Sequence, residues 1–381
     1  MKIVIAGGDG FCGWATTLRL LKDGNEVLIL DNLSRRKIDD DLGIKSLTKI
    51  YSMKSRLEVA NKLFGPVSFR KIDISNDYYP LTRYLSEFEP DAVIHFAEQR
   101  SAPYSMIGEK QRRLTIDNNI STTNNLLSCI VDINPKIHFL HLGTMGFYGY
   151  SDIYGKVPEG YLDIIIQQTN KKDKIVYPPN PGSIYHLSKV LDHYLLQYYK
   201  KNWNIPITDL HQGIVWGAQS LETSKDDKLT NRFDYDGIYG TVLNRFISQA
   251  LNNHPLTIYG TGKQTRAFIH IDDTAECLKI ALKNPPNSKK VRVFNQVSET
   301  QTLINLAKIV INIFGGEIKF IPNPRNEKES NQLKVSNKGL KSLGFKPKLI
   351  SNDLIEDLAS SKLKNNKNFH LEKILNSPKW S

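Results

Sequence analysis

Short apolar runs alternate with amphipathic stretches through the first 142 residues of the chain. The apolar runs predict strands at Lys2–Ala6, Glu26–Leu30, Val67–Lys71, Ala92–His95 and Ile137–Leu142. Between them, apolar positions recur at helical spacing and predict helices at Phe11–Lys22, Asn76–Glu87 and Ser101–Val131. Alternating strand and helix implies an α/β fold, a doubly wound parallel sheet with helices on both faces. Two further strands are predicted at Ile205–Leu210 and near Val291–Phe294. From Asp209 the pattern loosens. Leu221–Tyr235 reads as a polar loop, Gly240–Leu251 as a helix and Pro255–Ile258 as a short strand. Asp273–Lys283, Gln301–Phe314 and Val335–Leu343 read as helices. The division expected is a sheet domain over 1–208, a smaller α/β domain interleaved with it over 209–360, and a tail over 361–381, rich in lysine and asparagine and partly disordered.

Composition changes this picture little. With 381 residues, 40% hydrophobic and 24% charged, the chain is ordinary for a globular protein with a sizeable core. No apolar run reaches the length of a membrane span, and the N-terminus enters a strand at once, so neither membrane insertion nor a leader is expected. Cys12, Cys129 and Cys277 have no metal-ligand or disulfide spacing, which fits a reducing cytoplasm without a bound metal. The net charge of +12 raises nucleic acid as a partner. The basic residues are scattered and form no stripe with interleaved aromatics, so a field that captures small anions is the better reading.

Two motifs carry chemistry. Gly7-Gly8-Asp9-Gly10-Phe11-Cys12-Gly13 follows the first strand and opens the first helix. Glycines at this spacing permit a tight turn and close approach of a pyrophosphate, with the helix N-terminus turned to the anion. Asp31-Asn32 ends the second strand, where a carboxylate accepts from ribose hydroxyls and favours NAD over NADP. Arg35 and Arg36 lie close by and pull the other way, since arginine accommodates a 2′-phosphate. Asp73-Ile74 follows the third strand and either touches adenine or caps a helix. Ala97 and Thr144 lie at the carboxyl ends of later strands and reach the same crevice. The second motif is Tyr185-x-x-x-Lys189 inside a predicted helix. One helical turn puts both side chains on one face, and an ammonium beside a phenol favours the phenolate. Such a phenol takes a proton from a sugar hydroxyl near neutral pH.

In this order, the glycine loop, Asp31, Thr144 and Tyr185-x-x-x-Lys189 resemble the extended short-chain dehydrogenase/reductase family of nucleotide-sugar modifiers, built on the Rossmann sheet. Longer strings are more particular. They include Glu98-Gln99-Arg100-Ser101-Ala102-Pro103-Tyr104-Ser105, Leu142-Gly143-Thr144-Met145-Gly146, Asn231-Arg232-Phe233-Asp234-Tyr235-Asp236 and Gly262-Lys263-Gln264-Thr265-Arg266. From about Lys2 to Leu358 they resemble the UDP-sulfoquinovose synthase branch of that family.

The resemblance implies UDP-glucose and sulfite as substrates, NAD as a cofactor that is recycled, and a homodimer. In that chemistry Tyr185 takes the C4 hydroxyl proton as hydride leaves C4, Lys189 lowers the Tyr185 pKa, and Thr144 hydrogen-bonds the C4 oxygen. Water is lost across C5 and C6, sulfite adds at C6, and C4 is reduced again. Met145 and His186 join Thr144, Tyr185 and Lys189 as catalytic candidates. Asn118 and Val215 are expected at the cofactor. Arg100, Thr144, Gln212, Gly240, Thr241, Val242, Leu243, Pro255, Leu256, Thr257, Gln264, Thr265, Arg266 and Arg325 are expected around the UDP-sugar.

One departure stands out. Plant members read Thr-Met-Gly-Glu-Tyr-Gly where this chain has Thr144-Met145-Gly146-Phe147-Tyr148-Gly149, and Phe147 transfers no proton. His186, Glu98 and the polarizable surroundings of Met145 are the candidate replacements, with His186 either an acid–base group or a packed helix residue. A nucleotide-sugar 4-epimerase or 4,6-dehydratase is the alternative reading.

Overall fold

The computed structural model describes residues 1–149, 155–325, 331–356, 358, 363, 366–375 and 378. In chain order, β1 (Lys2–Ala6), α1 (Phe11–Lys22), β2 (Glu26–Asp31), α2 (Ser34–Leu42), α3 (Met53–Leu63) and β3 (Val67–Lys71) come first. Then follow α4 (Tyr78–Phe88), β4 (Ala92–His95), a short α5 (Ala102–Ser105), the long α6 (Glu109–Ile133) and β5 (His138–Thr144). A hairpin of β6 (Tyr161–Ile166) and β7 (Lys171–Val176) precedes α7 (Ile184–Trp203), β8 (Ile207–Gln212) and β9 (Ile214–Trp216). The later half holds α8 (Val242–Leu251), β10 (Leu256–Tyr259), β11 (Thr265–His270), α9 (Ile271–Lys283), β12 (Arg292–Gln296), β13 (Glu299–Thr302), α10 (Leu303–Phe314) and β14 (Ile318–Ile321). Short helices at Lys338–Ser342, Asn352–Glu356 and Leu371–Leu375 end it.

Seven strands pair in the order β12–β8–β5–β4–β1–β2–β3, every neighbour parallel. The reason is visible in β1, which is apolar on both sides. Ile3 and Ile5 point into one buried cluster with Trp14 and Leu18 of α1. Val4 and Ala6 point into another with Leu126 and Leu127 of α6 and Leu196 of α7. A strand buried on both faces needs helices above and below it, which parallel crossovers supply. The strand order reverses between β1 and β4, and the carboxyl ends of the strands open a crevice there.

A third cluster, with Trp216, Phe233, Phe246, Phe268 and Leu306, is the core of the smaller half. Its strands form two small sheets, β13–β11–β9 and β10–β14. The halves are interleaved, since β8 and β12 belong to the large sheet.

Several sequence expectations need correction. Ser101–Val131 is two helices, because Gly108 adopts an extended conformation between α5 and α6. The helix expected at Val335–Leu343 shortens to Lys338–Ser342. Leu221–Tyr235 is irregular but not a solvated loop, as Leu229, Phe233 and Tyr235 are fully buried. Helices α2 and α3 and the β6–β7 hairpin were not anticipated; β7 is exposed almost throughout and carries no apolar alternation to betray it. The tail docks in part. Asn366 donates to the Leu47 carbonyl (2.8 Å), Tyr235 to that of Asn368 (2.7 Å), and Leu363 and Ile374 enter the third cluster. The remaining tail residues lie outside those described.

Candidate active site

The glycine loop connects β1 to α1 beneath the loop that leaves β4. Gly7 has φ +83°, and a Cβ there would stand 2.6 Å from the Ala97 nitrogen, so only glycine fits. No side chain caps α1 and no acidic residue sits in its first turn. That leaves the helix N-terminus suited to an anion. The Asp31 carboxylate accepts from the backbone N–H of Asp9 (2.9 Å) and Leu33 (2.7 Å). Burial, with the Asp9 charge adding to it, pushes Asp31 up to about 6. A carboxylate held this way at the end of β2 has lone pairs left for ribose hydroxyls, so the residues fit a dinucleotide.

The two arginines that spoke for NADP are committed elsewhere. Arg36 grips Asp9 through two 2.7 Å hydrogen bonds, and Arg56, lying over the Trp14 ring, takes the same carboxylate at 2.6 Å. Arg35 pairs with Asp39 and lies 3.6 Å over the Tyr239 ring. The Asp9 side chain therefore organises arginines, which leaves the backbone of its loop as the part that could approach a cofactor. The Asp73 carboxylate accepts from Ser75 and Asn76 and shapes a local turn, while Ile74 is buried in the core; Asp77 holds the N-cap position of the helix that follows, so Asp73 is not its cap. Asn118 donates to Asn119. Asn119, which the sequence did not single out, does more: it brackets the Gln99 backbone (2.8 and 3.0 Å) and donates to Ser188 on α7 (3.0 Å).

A cleft of about 810 Å³ opens between the large sheet and the smaller half. Thr144, Met145, Tyr185, His186, Gln212 and Val215 line one wall, with Phe11 and Cys12 at the cofactor end. Burial pushes the Cys12 thiol up to about 11, so it is a protonated wall residue, not a nucleophile. Arg100, Gly240, Thr241, Val242, Arg266 and Arg325 line the rest. Ser183 caps α7 by accepting from the His186 N–H (3.1 Å), and the Tyr185 N–H donates to Ser105 Oγ (3.1 Å). These bonds fix the first turn of α7, and Thr144, on the same cleft wall, favours the ionised form of the Tyr185 phenol.

The electrostatics correct the simplest expectation. The Tyr185 phenol lies above its ordinary value, because burial outweighs the attraction of Lys189, and Glu98 adds to the rise. Lys189 is itself ion-paired with Glu98 on its far side. Glu98 is therefore not a cleft residue and no direct substitute for the missing glutamate. Phe147 is buried beside His193 and His211, with ring centroids 5.2 and 4.9 Å away.

His186 does face the cleft. Burial and the nearby Arg325 and Arg266 push its imidazole down to about 3, so it is neutral. Its ring fills the space where a Gly146 Cβ would stand, 2.2 Å from Cδ2.

Not every expected substrate residue reaches the cleft. Leu243 and Leu256 are in the third core cluster, and Thr257 pairs with Gln249. The cleft is met instead by Tyr259 at the end of the same strand. Pro255 precedes that strand, outside the lining. Gln264 is buried against the Tyr259 carbonyl (3.2 Å), and Thr265 binds Asn331, which does line the cleft. Arg245 was missed, although it stands one helical turn beyond Thr241 and so shares its face.

Comparison with known proteins places the fold and the family. The NAD dependent epimerase/dehydratase family model matches residues 3–296. The chain is 39% identical over 384 residues to the chloroplastic UDP-sulfoquinovose synthase of Spinacia oleracea, covering 100% of this chain and 79% of that protein. It is 38% identical over 358 residues to the UDP-sulfoquinovose synthase of Sulfolobus acidocaldarius, covering 91% and 89%. Among solved structures, UDP-glucuronic acid 4-epimerase from Bacillus cereus, in complex with UDP-glucuronic acid and NAD, superposes with a TM-score of 0.69 at 23% identity, covering 95% of this chain and 99% of that one. The likeness at 23% speaks to the fold, and the family match with the full-length similarity decides membership: the chain belongs to the NAD dependent epimerase/dehydratase family, alongside its UDP-sulfoquinovose synthases.

Proposed function

We propose that this NAD-dependent enzyme forms UDP-sulfoquinovose from UDP-glucose and sulfite, as a homodimer in a reducing cytoplasm. The observation that carries the reading is similarity of 39% and 38% across nearly the whole chain to two UDP-sulfoquinovose synthases. The cleft supports it. The Gly7–Gly13 loop and Asp31 would hold NAD, which would supply a hydride acceptor for C4 and a hydride donor when C4 is reduced again. Tyr185 takes the proton from O4, and Thr144 donates to the same oxygen as charge develops there. The 4-ketone acidifies C5–H. His186, neutral and at the cleft wall, carries that proton from C5 to the C6 hydroxyl, which leaves as water. Sulfite then adds through sulfur at C6 of the 5,6-ene, forming the C6–S bond as C5 takes back a proton. Arg266 and Arg325 suit the diphosphate, since guanidinium forks match its oxygens. Among the described residues no helix is long and apolar enough to cross a membrane.

The test is mass spectrometry of the purified protein incubated with UDP-glucose and sulfite. A sulfonated UDP-hexose that needs both substrates is the expected product. A UDP-galactose or 4-keto-6-deoxy product, indifferent to sulfite, would assign the chain to the epimerases or dehydratases instead.

A further inference from the structure

Beneath Tyr185 and Lys189 lies a buried carboxylate to which the proposed reaction gives no part. The Glu98 side chain is 3% exposed, on the loop that leaves β4. One oxygen meets Lys189 Nζ. The other faces His95 Nε2 at 3.0 Å and His141 Nε2 at 3.3 Å. We propose that Glu98 is a positioning residue for this chemistry: it seats the Lys189 ammonium under Tyr185 and fixes the net charge of that pair. The inference rests on reading Tyr185 as the proton acceptor.

The argument is one of charge in a dry place. A buried ammonium persists only with a compensating anion, and removing that anion leaves an uncompensated cation. Glu98 supplies the compensation, and its placement is in turn fixed from β4 and β5. His95 Nε2 also lies 3.1 Å from Thr123 Oγ1, and His141 Nδ1 lies 2.8 Å from Asp209 Oδ1. Asp209 is shared with His193 (2.8 Å) and His211 (3.0 Å). From α7 itself Asp192 approaches His141 at 3.7 Å. The remaining charge acting on Tyr185 is Arg100 across the cleft. Glu98 opposes ionisation of Tyr185 while Lys189 and Arg100 favour it. Burial drives Asp192 up to about 6, with Glu98 next among the causes, while Lys189 and the two histidines hold Glu98 well below its ordinary value despite its burial; of the two carboxylates Glu98 is the one in direct contact with the Lys189 ammonium.

Removing the Glu98 charge has a definite sign. The Tyr185–Lys189 pair then carries an unbalanced positive charge and gives up a proton more readily, whichever group releases it. The experiment compares the NAD-bound parent, Glu98→Gln and Glu98→Asp by ultraviolet pH titration, each against its Tyr185→Phe counterpart, and then by steady-state kinetics. Glu98→Gln is expected to lower the pH at which the pair loses its proton by about one unit and kcat by about 10-fold or more, with the UDP-glucose KM nearly unchanged. Glu98→Asp keeps the charge but is one methylene short. Its titration should match the parent while kcat falls about 3-fold. A titration that Glu98→Gln leaves in place, or a parent-like kcat in either variant, overturns the proposal. If Glu98→Gln does not fold, Glu98→Asp alone decides, since a merely space-filling role predicts parent-like kcat there. Absence of a sulfonated product in the parent would fail the functional reading, whereas the titration would still judge Glu98.

Discussion

Arg266 and His186 show how one cleft side chain sets another. The guanidinium lies against the same cavity as the imidazole and helps to hold it neutral. Arg266→Ala would remove the charge-assisted contact to the diphosphate proposed above, worth about 1.5–3 kcal/mol, so the UDP-glucose KM should rise about 10- to 100-fold. The same change should raise the His186 pKa from about 3 toward its ordinary value, read from the imidazole proton shifts by NMR. The sign follows from removing a cation beside a group that gains charge on protonation. An unaltered KM would take Arg266 away from the diphosphate. At this scale the sequence was legible where chemistry is local. Thr144, Tyr185 and Lys189 converge as their spacing implied. It was not legible where the surroundings intervene: burial, with Glu98 on Lys189 adding to it, reverses the simple expectation for Tyr185, and nothing in Tyr-x-x-x-Lys announces a dry site or a carboxylate from another element.

Among the elements, α7 carries the proposed proton acceptor on its first turn, so its N-terminus has to be held. The Ser183 hydroxyl accepts from the His186 N–H, and Ser105 Oγ from that of Tyr185. Ser183→Ala should cost about 1 kcal/mol of stability, the usual value for a lost N-cap, seen as a lower urea midpoint at unchanged slope. Ser183→Asp, also a capping residue, should recover it. Equal midpoints for Ser183→Ala and the parent would remove the cap from the account. The sheet strands were legible because both faces are buried and the runs are apolar throughout, as in β1. The hairpin of β6 and β7 was not, because its strands pair with each other on the surface and β7 spells Lys-Lys-Asp-Lys-Ile-Val. A similar limit explains the substrate contacts expected around Leu256. Alternation along β10 sends that side chain into the core and leaves Tyr259 at the cleft.

At the scale of the molecule, the outer face of α7 remains to be accounted for. Leu187, Leu191, Tyr194 and Tyr198 recur at intervals of four, three and four residues, and all are exposed. That spacing draws a continuous apolar stripe along one helix face. α6 packs beside it, joined by Asn119 to Ser188 and by Ser128 to Tyr199, and adds exposed Leu114 near its own start. Two adjacent long helices with a shared apolar face suit an isologous contact, in which the same patch meets itself. The proposed homodimer therefore makes a thermodynamic prediction as well as a hydrodynamic one. Binding of a folded partner stabilises by mass action, so the Tm of the parent should rise with protein concentration. Leu191→Lys with Tyr198→Glu sets charges into the stripe without touching the cleft. The double variant should sediment as a monomer, and its Tm should no longer depend on concentration. A parent that sediments as a monomer at micromolar concentration, with a Tm indifferent to dilution, would leave the stripe without this partner and the dimer without support.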